Sequence, residues 1–139
     1  MRAATPHSSP AFSGSTSNLE NFPMSLFMNW RELLTSLKRS HSLLGGTNPK
    51  MLEAYRNLAA AQGSNGALEP KMRELIALAV AVTTRCDGCI SSHAAAAVQA
   101  GATEAEVSDA LGTAMALNAG AAYVYSLRAL EAFNEMKAA

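Results

Sequence analysis

Both cysteines of the chain, Cys86 and Cys89, stand in the nonapeptide RCDGCISSH, which ends on one of its three histidines, His93. Three chemistries suit these residue types at this spacing. Two thiols one helical turn apart can cycle between dithiol and disulfide. Thiolates with an imidazole can supply part of a zinc site. Or the thiols can be small buried hydrophobes with no chemistry at all. On a helix successive residues turn by about 100°, so Cys86, Cys89 and His93 fall within roughly 60° of one face. With Thr84 or Asp87 as N-cap, the pair would sit in the first helical turn. Unpaired amides and the helix dipole there lower a thiol pKa from its usual value of about 8.5. Arg85 works in the same direction and Asp87 against it.

Glu74 is the fourth candidate. It precedes the run LIALAVAV, Leu75 to Val82, so much of the surface of its helix should be buried, where a carboxylate is costly without a partner. If two helices form an antiparallel hairpin turning near Arg85, residue 93 lies beside residue 77 and Glu74 comes within about one turn, on the order of 5 Å of rise, of His93. A carboxylate so placed orients an imidazole and stabilises its protonated form. The chain Glu74–His93–Cys89 then reads as orienter, base and nucleophile. Taken singly, each residue has a plainer use: a core thiol, a core or interface histidine, a glutamate paired with Arg73 or Arg85. Convergence of all four on facing helices is what favours chemistry.

Metal binding is the weaker reading. Cys86, Cys89, His93 and Glu74 could give four ligands, but structural zinc sites mostly use Cys₄, Cys₃His or Cys₂His₂ sets, and no second cysteine pair exists. His7 and His41 lie in unsuitable or distant contexts. Ile90 after Cys89 breaks the c-type haem motif. No cofactor or resident metal is expected.

The elements that must position these residues are helical. Residues 25–44, SLFMNWRELLTSLKRSHSLL, carry apolar positions at helical spacing. GGTN breaks the chain, Pro49 suits the first turn of a second helix to about Ala61, and GSNG makes the next loop. Pro70 opens a third helix to about Thr84. A fourth begins near Cys86 and stops at Gly101. Thr103 and Glu106 form a capping box for a fifth. NAG at Asn118–Gly120 ends it, leaving a sixth from Ala121 to about Met136. The charged positions Glu104, Glu106 and Asp109 read as a solvated face, and Tyr123 and Leu127 as packing. An all-α bundle of about six helices is therefore expected over residues 23–139.

Residues 1–22 are rich in Ser, Thr and Pro, lack an apolar period, and read as a flexible leader. A transit peptide would be arginine-rich, and only Arg2 is present there. The 139 residues carry a formal net charge of zero, which provides no electrostatic footprint for nucleic acid or for an anionic membrane. The longest apolar run is far short of the roughly 20 residues of a spanning helix. With two cysteines and no secretory signal, the cytoplasm is the default compartment.

From Leu68 onward the chain resembles the cysteine-containing, alkylhydroperoxidase D (AhpD)-like branch of the carboxymuconolactone decarboxylase superfamily. The matching stretch is LEPKMRELIALAVAVTTRCDGCISSHAAAAVQAGATEAEVSDAL, with Glu74, Cys86, Cys89 and His93 in a Glu-x₁₁-Cys-x-x-Cys-x₃-His pattern. The resemblance implies an all-helical fold, a homotrimer or homohexamer, Cys89 as the peroxide-attacking thiol, Cys86 as the resolving one, and Glu74 with His93 as a proton relay. The decarboxylase branch generally lacks the cysteine pair, which disfavours that activity here. Some relatives carry a histidine between the cysteines, where this chain has Gly88.

The expected function is a thiol peroxidase whose substrate is a hydroperoxide. Its disulfide would be reduced by an external dithiol, a lipoyl-bearing or thioredoxin-like protein. His93 lies about 6 Å of helix rise from Cys89 and about 10 Å from Cys86, which favours Cys89 as nucleophile, while the place of Cys86 nearer the helix N-terminus favours the reverse order. Two alternatives remain open at this point: a disulfide oxidoreductase that does not meet peroxide, and a non-catalytic helical assembly protein that binds zinc.

Overall fold

The computed structural model describes residues 27–137, and the expected leader and His7 lie outside the described residues. Five helices follow one another: α1 (Trp30–Thr47), α2 (Pro49–Ala61), α3 (Pro70–Thr83), α4 (Asp87–Gln99) and α5 (Glu104–Lys137). No strand occurs among the described residues. In space they form a row, α2 on α1, α1 on α4, α4 on α3 and α3 on α5, so the α3–α4 hairpin is the centre.

Local chemistry explains most of the boundaries. Asn29 caps α1 by accepting the Glu32 amide at 3.1 Å, which starts the helix at Trp30. Asn48 caps α2 by accepting the Met51 amide at 3.3 Å, and Pro49 follows in the first turn. Gly45 and Gly46 do not break the chain as expected; α1 runs through them to Thr47. The glycine at 45 serves close packing instead, since a Cβ there would lie 2.5 Å from Leu52 Cδ2. At the end of α4, Gly101 has φ +75° and donates to Val98 O, while the Ala102 amide donates to Ala97 O. That is a Schellman closure, with Ala100 as C-cap and glycine just beyond it.

The expected break at Asn118–Gly120 is absent, so the fifth and sixth expected helices are one of 34 residues. Asn118 folds its side-chain amide back onto Ala114 O at 2.8 Å rather than opposing the helix. A lone glycine costs a helix interior about 1 kcal/mol, which the alanine-rich flanks can absorb. At 1.5 Å per residue α5 is about 51 Å long, more than twice the length of α3. Only its first third packs on α3. Ala114 is its one buried residue, and every residue from Met115 to Lys137 is exposed.

The core is thin. Leu52, Leu75, Leu78, Ala81, Ala97 and Ala114 are its buried apolar residues. Ser91 is buried as well, and its hydroxyl donates to Trp30 O at 2.9 Å, which ties the start of α1 to the centre of α4. The capping box at the start of α5 forms as expected: the Thr103 amide donates to Glu106 Oε2 at 2.8 Å and the Glu106 amide to Thr103 Oγ1 at 3.2 Å. Glu106 is not merely part of a solvated face, however. Its Oε1 accepts from Lys71 Nζ at 2.7 Å and joins α5 to α3.

The Lys71 ammonium, helped by the Thr103 amide and hydroxyl, lowers the Glu106 carboxyl from its ordinary 4.5 to about 2. Between those values the unfolded chain binds the proton that the folded chain refuses, so stability falls as pH falls. The contribution is whole above about pH 4.5 and gone once pH passes below about 2. Glu106→Gln should therefore melt below the wild type at pH 7, and the gap should close as thermal scans approach pH 2. Because the pair is half-exposed, the gap should also shrink in high salt.

Candidate active site

The site is built on the elbow between α3 and α4. At the end of α3 the Arg85 amide donates to Val82 O at 3.3 Å and the Cys86 amide to Ala81 O at 3.0 Å. This second Schellman closure requires a left-handed residue, and Arg85 takes it with φ +55°. A non-glycine residue there costs roughly 1–2 kcal/mol, least for an unbranched side chain. The next residue, Cys86, is already the N-cap of α4, and its Sγ accepts the Cys89 amide at 3.1 Å. The cap is thus neither Thr84 nor Asp87. Thr84 instead turns its hydroxyl back onto Val80 O at 3.0 Å.

This local geometry gives the two sulfurs different surroundings. Cys86 Sγ receives the helix-end hydrogen bond, an arrangement that favours a thiolate when the pair is reduced. Cys89 sits one turn inside, on the same face as His93. The two are joined as a disulfide with Cα atoms 5.2 Å apart. Among the described residues, no group of three His, Cys, Asp or Glu side chains is arranged to hold a metal.

Glu74 and His93 meet as the hairpin arithmetic expects. His93 Nδ1 donates to Glu74 Oε2 at 2.7 Å across the α3–α4 interface. The Glu74 side chain is 18% exposed and that of His93 31%, so water competes weakly for the contact. A carboxylate accepting at Nδ1 keeps the proton of a neutral imidazole there and leaves the Nε2 lone pair free to act as a base.

Cys89 and His93 line a groove of about 400 Å³, walled by Ile76, Ala77 and Val80 of α3. Leu68 and Arg73 line it as well. Cys86 does not line it. The groove residues on α3 (73, 76, 77, 80 and 81) recur at helical spacing and are legible in the sequence as a stripe, whereas Arg73 reads there only as a partner for Glu74. In the structure its Nη1 donates to Leu68 O at 2.7 Å, and the guanidinium lies over Gly63, where a Cβ would come within 3.0 Å of Cζ. Gly88 stands between the two cysteines. There Leu37 of α1 packs so closely that a Cβ would meet its Cδ1 at 3.2 Å.

Comparison with known proteins agrees with this architecture. The model of the carboxymuconolactone decarboxylase family matches residues 49–132. An uncharacterized protein of Haemophilus influenzae is 60% identical over 113 residues, covering 81% of this chain and all of that one. A second relative, "uncharacterized protein 4 in cox locus" of Paracoccus denitrificans, is 33% identical over 107 residues, 75% of this chain and 96% of its own. Among solved structures, the apo form of a carboxymuconolactone decarboxylase family protein from Legionella pneumophila superposes with a TM-score of 0.61 at 33% identity, covering 76% of this chain and 95% of that one. A protein from Methanobacterium thermoautotrophicum superposes with a TM-score of 0.55 at 34% identity, covering 58% and 91%. The helical hairpin with its Glu74, Cys86, Cys89 and His93 thus has its place in a known group, and the chain belongs to the carboxymuconolactone decarboxylase family.

Proposed function

We propose that the chain is a thiol-dependent peroxidase that reduces organic hydroperoxides through a Cys86–Cys89 dithiol–disulfide cycle. The observation that carries this reading is the 2.7 Å Glu74–His93 contact on the same groove as Cys89. It supplies an oriented base beside one sulfur, while Cys86 has the helix-capping position. A pair used only as a structural clip needs neither.

The cycle starts from the reduced pair. His93 Nε2 takes the Cys89 proton, and Glu74 steadies the imidazolium. The thiolate attacks the terminal peroxide oxygen, the O–O bond breaks, and the alkoxide leaves as an alcohol with the proton returned from His93. Cys89 is then a sulfenic acid. Cys86 attacks that sulfur, the hydroxyl departs as water with the remaining thiol proton, and the disulfide forms. One peroxide and two thiols thus give one alcohol, one water and one disulfide. An external dithiol, on a lipoyl-bearing or thioredoxin-like protein, restores the pair by exchange. Cys86 is the sulfur to be attacked from outside, because Cys89 faces the groove.

The chain acts as a homo-oligomer in this proposal. Tyr123, Leu130, Phe133 and Met136 of α5 are each more than half exposed, as are Leu43 and Leu58 of the α1–α2 pair. So much uncovered apolar surface marks an interface, and a trimer or hexamer of this chain would bury it. No helix of the described residues is long and apolar enough to cross a membrane.

Two outcomes test the proposal. Pre-reduced, metal-free protein should lose both thiols per organic hydroperoxide in a single turnover. Cys89→Ser should lose none, and Cys86→Ser should stop at a sulfenic acid trapped by a dimedone probe. Unchanged wild-type thiols at millimolar peroxide overturn the peroxidase reading, and sulfenic acid on Cys86 rather than Cys89 reverses the roles. For assembly, sedimentation should give three or six chains, and Leu130→Lys with Phe133→Lys should release smaller species. A wild-type monomer would end the oligomer proposal.

A further inference from the structure

The groove holds a cation, Arg73, whose hydrogen bond to the backbone leaves most of its donors uncommitted. Among the described residues the ion pairs are Lys71–Glu106 and His93–Glu74, so Arg73 has no acidic partner. Its Nη1 is held by Leu68 O, which uses one of the five N–H donors of a guanidinium. The guanidinium also lies against Gly63, and Arg73 lines the same groove as Cys89. A half-buried guanidinium without a carboxylate is unusual, and its planar fork suits bidentate binding of one.

Between Arg73 and Cys89 the wall is apolar. Leu68, Ile76 and Val80 are each 46% exposed or more, a wide apolar strip to leave in water. A volume of about 400 Å³ lies in the range of roughly 300–1,000 Å³ usual for small-molecule sites, which pair an apolar lining with a few orienting polar groups. With Glu74 beside His93, Cys89 falls level with about residue 78, some 8 Å of rise from Arg73. The guanidinium leans further toward Leu68, away from Cys89. A ligand that meets both Arg73 and Cys89 must be an extended apolar chain with an anion at one end and the reacting group along it.

Resting on the peroxidase reading above, we propose that the groove selects hydroperoxides of alkyl carboxylic acids, and that Arg73 binds the carboxylate while the peroxide lies against Cys89. A small anion would make no use of the apolar wall, and an uncharged alkyl hydroperoxide would leave Arg73 unpaired. The preference resides in the difference between a carboxylate and its ester, not in the chain itself.

The test compares single-turnover thiol loss with a fatty-acid hydroperoxide, used below its micellar concentration, and with its methyl ester. The wild type should react about tenfold faster with the acid, the size of one charge-assisted contact at a partly wet site. Arg73→Gln should bring the ratio near one, and Arg73→Lys should restore part of it. In parallel, calorimetry on the disulfide form of the full chain should detect decanoate but not decanol, with the difference lost in Arg73→Gln. An equal rate for acid and ester in the wild type, or a preference that survives Arg73→Gln, overturns the assignment. Decanoate binding that needs Arg73, together with no reaction toward any peroxide, supports Arg73 as the carboxylate site and sinks the peroxidase reading instead. Absence of both binding and preference overturns the proposal and leaves the apolar wall to a second copy of the chain.

Discussion

Glu74 stands at the start of an apolar run on a central helix, where an unpaired carboxylate would be costly by several kcal/mol. Its partner is His93, 19 residues further along and 2.7 Å away. The contact does two things at once. It satisfies the carboxylate, and it sets the register of α3 against α4 so that Cys89, one turn back from His93, comes to the groove. Removing either partner leaves the other polar group short of its bond at a largely dry interface, and the imidazole also loses the group that holds its proton on Nδ1. The position and the tautomer of the imidazole therefore depend on the same bond.

The elbow that lets α4 return along α3 is nearly as important. Residues 81–86 close one helix, and Cys86 opens the next while its Sγ accepts the Cys89 amide. One residue thus closes α3, caps α4 and supplies half of the disulfide. In the proposed cycle, oxidation and reduction would act on the sulfur that caps the helix, so the redox state would bear on the helix terminus itself. Arg85 takes the left-handed backbone position that makes this compact turn possible. Among the described residues little else is buried around this hairpin, and α5 is exposed from Met115 to Lys137. A site held by so small a core is sturdier in an assembly that covers the exposed helix faces.

How much of this was readable in the sequence depended on how local the signal was. Pro49, Pro70 and the Thr103–Glu106 box mark helix starts through their own backbone chemistry, and all three stand where expected. The meeting of Glu74 with His93 followed from counting along an antiparallel hairpin, which needs only the position of the turn. Features set by tertiary packing were hidden. Gly45 looks like a breaker until Leu52 is seen against it. Asn118 and Gly120 look like a stop, yet the Asn118 side chain feeds its own helix. Cysteine is an uncommon cap, so Thr84 and Asp87 were the better local candidates. Arg73 could be seen as a charge but not as an unpaired one, because that depends on which carboxylates the fold brings near it.

The central claim is that Glu74 and His93 act on Cys89 as one unit, and a double-mutant cycle tests it most directly. The rate of Cys89 oxidation by an organic hydroperoxide would be followed in single turnover for Glu74→Gln, His93→Asn and the double variant. If Glu74 works only through His93, each single change should slow the reaction by about 10²-fold, the lower range for a lost general base. The double variant should then be no slower than His93→Asn alone. Slowing that multiplies in the double variant, to about 10⁴-fold, would show two independent contributions and contradict the account.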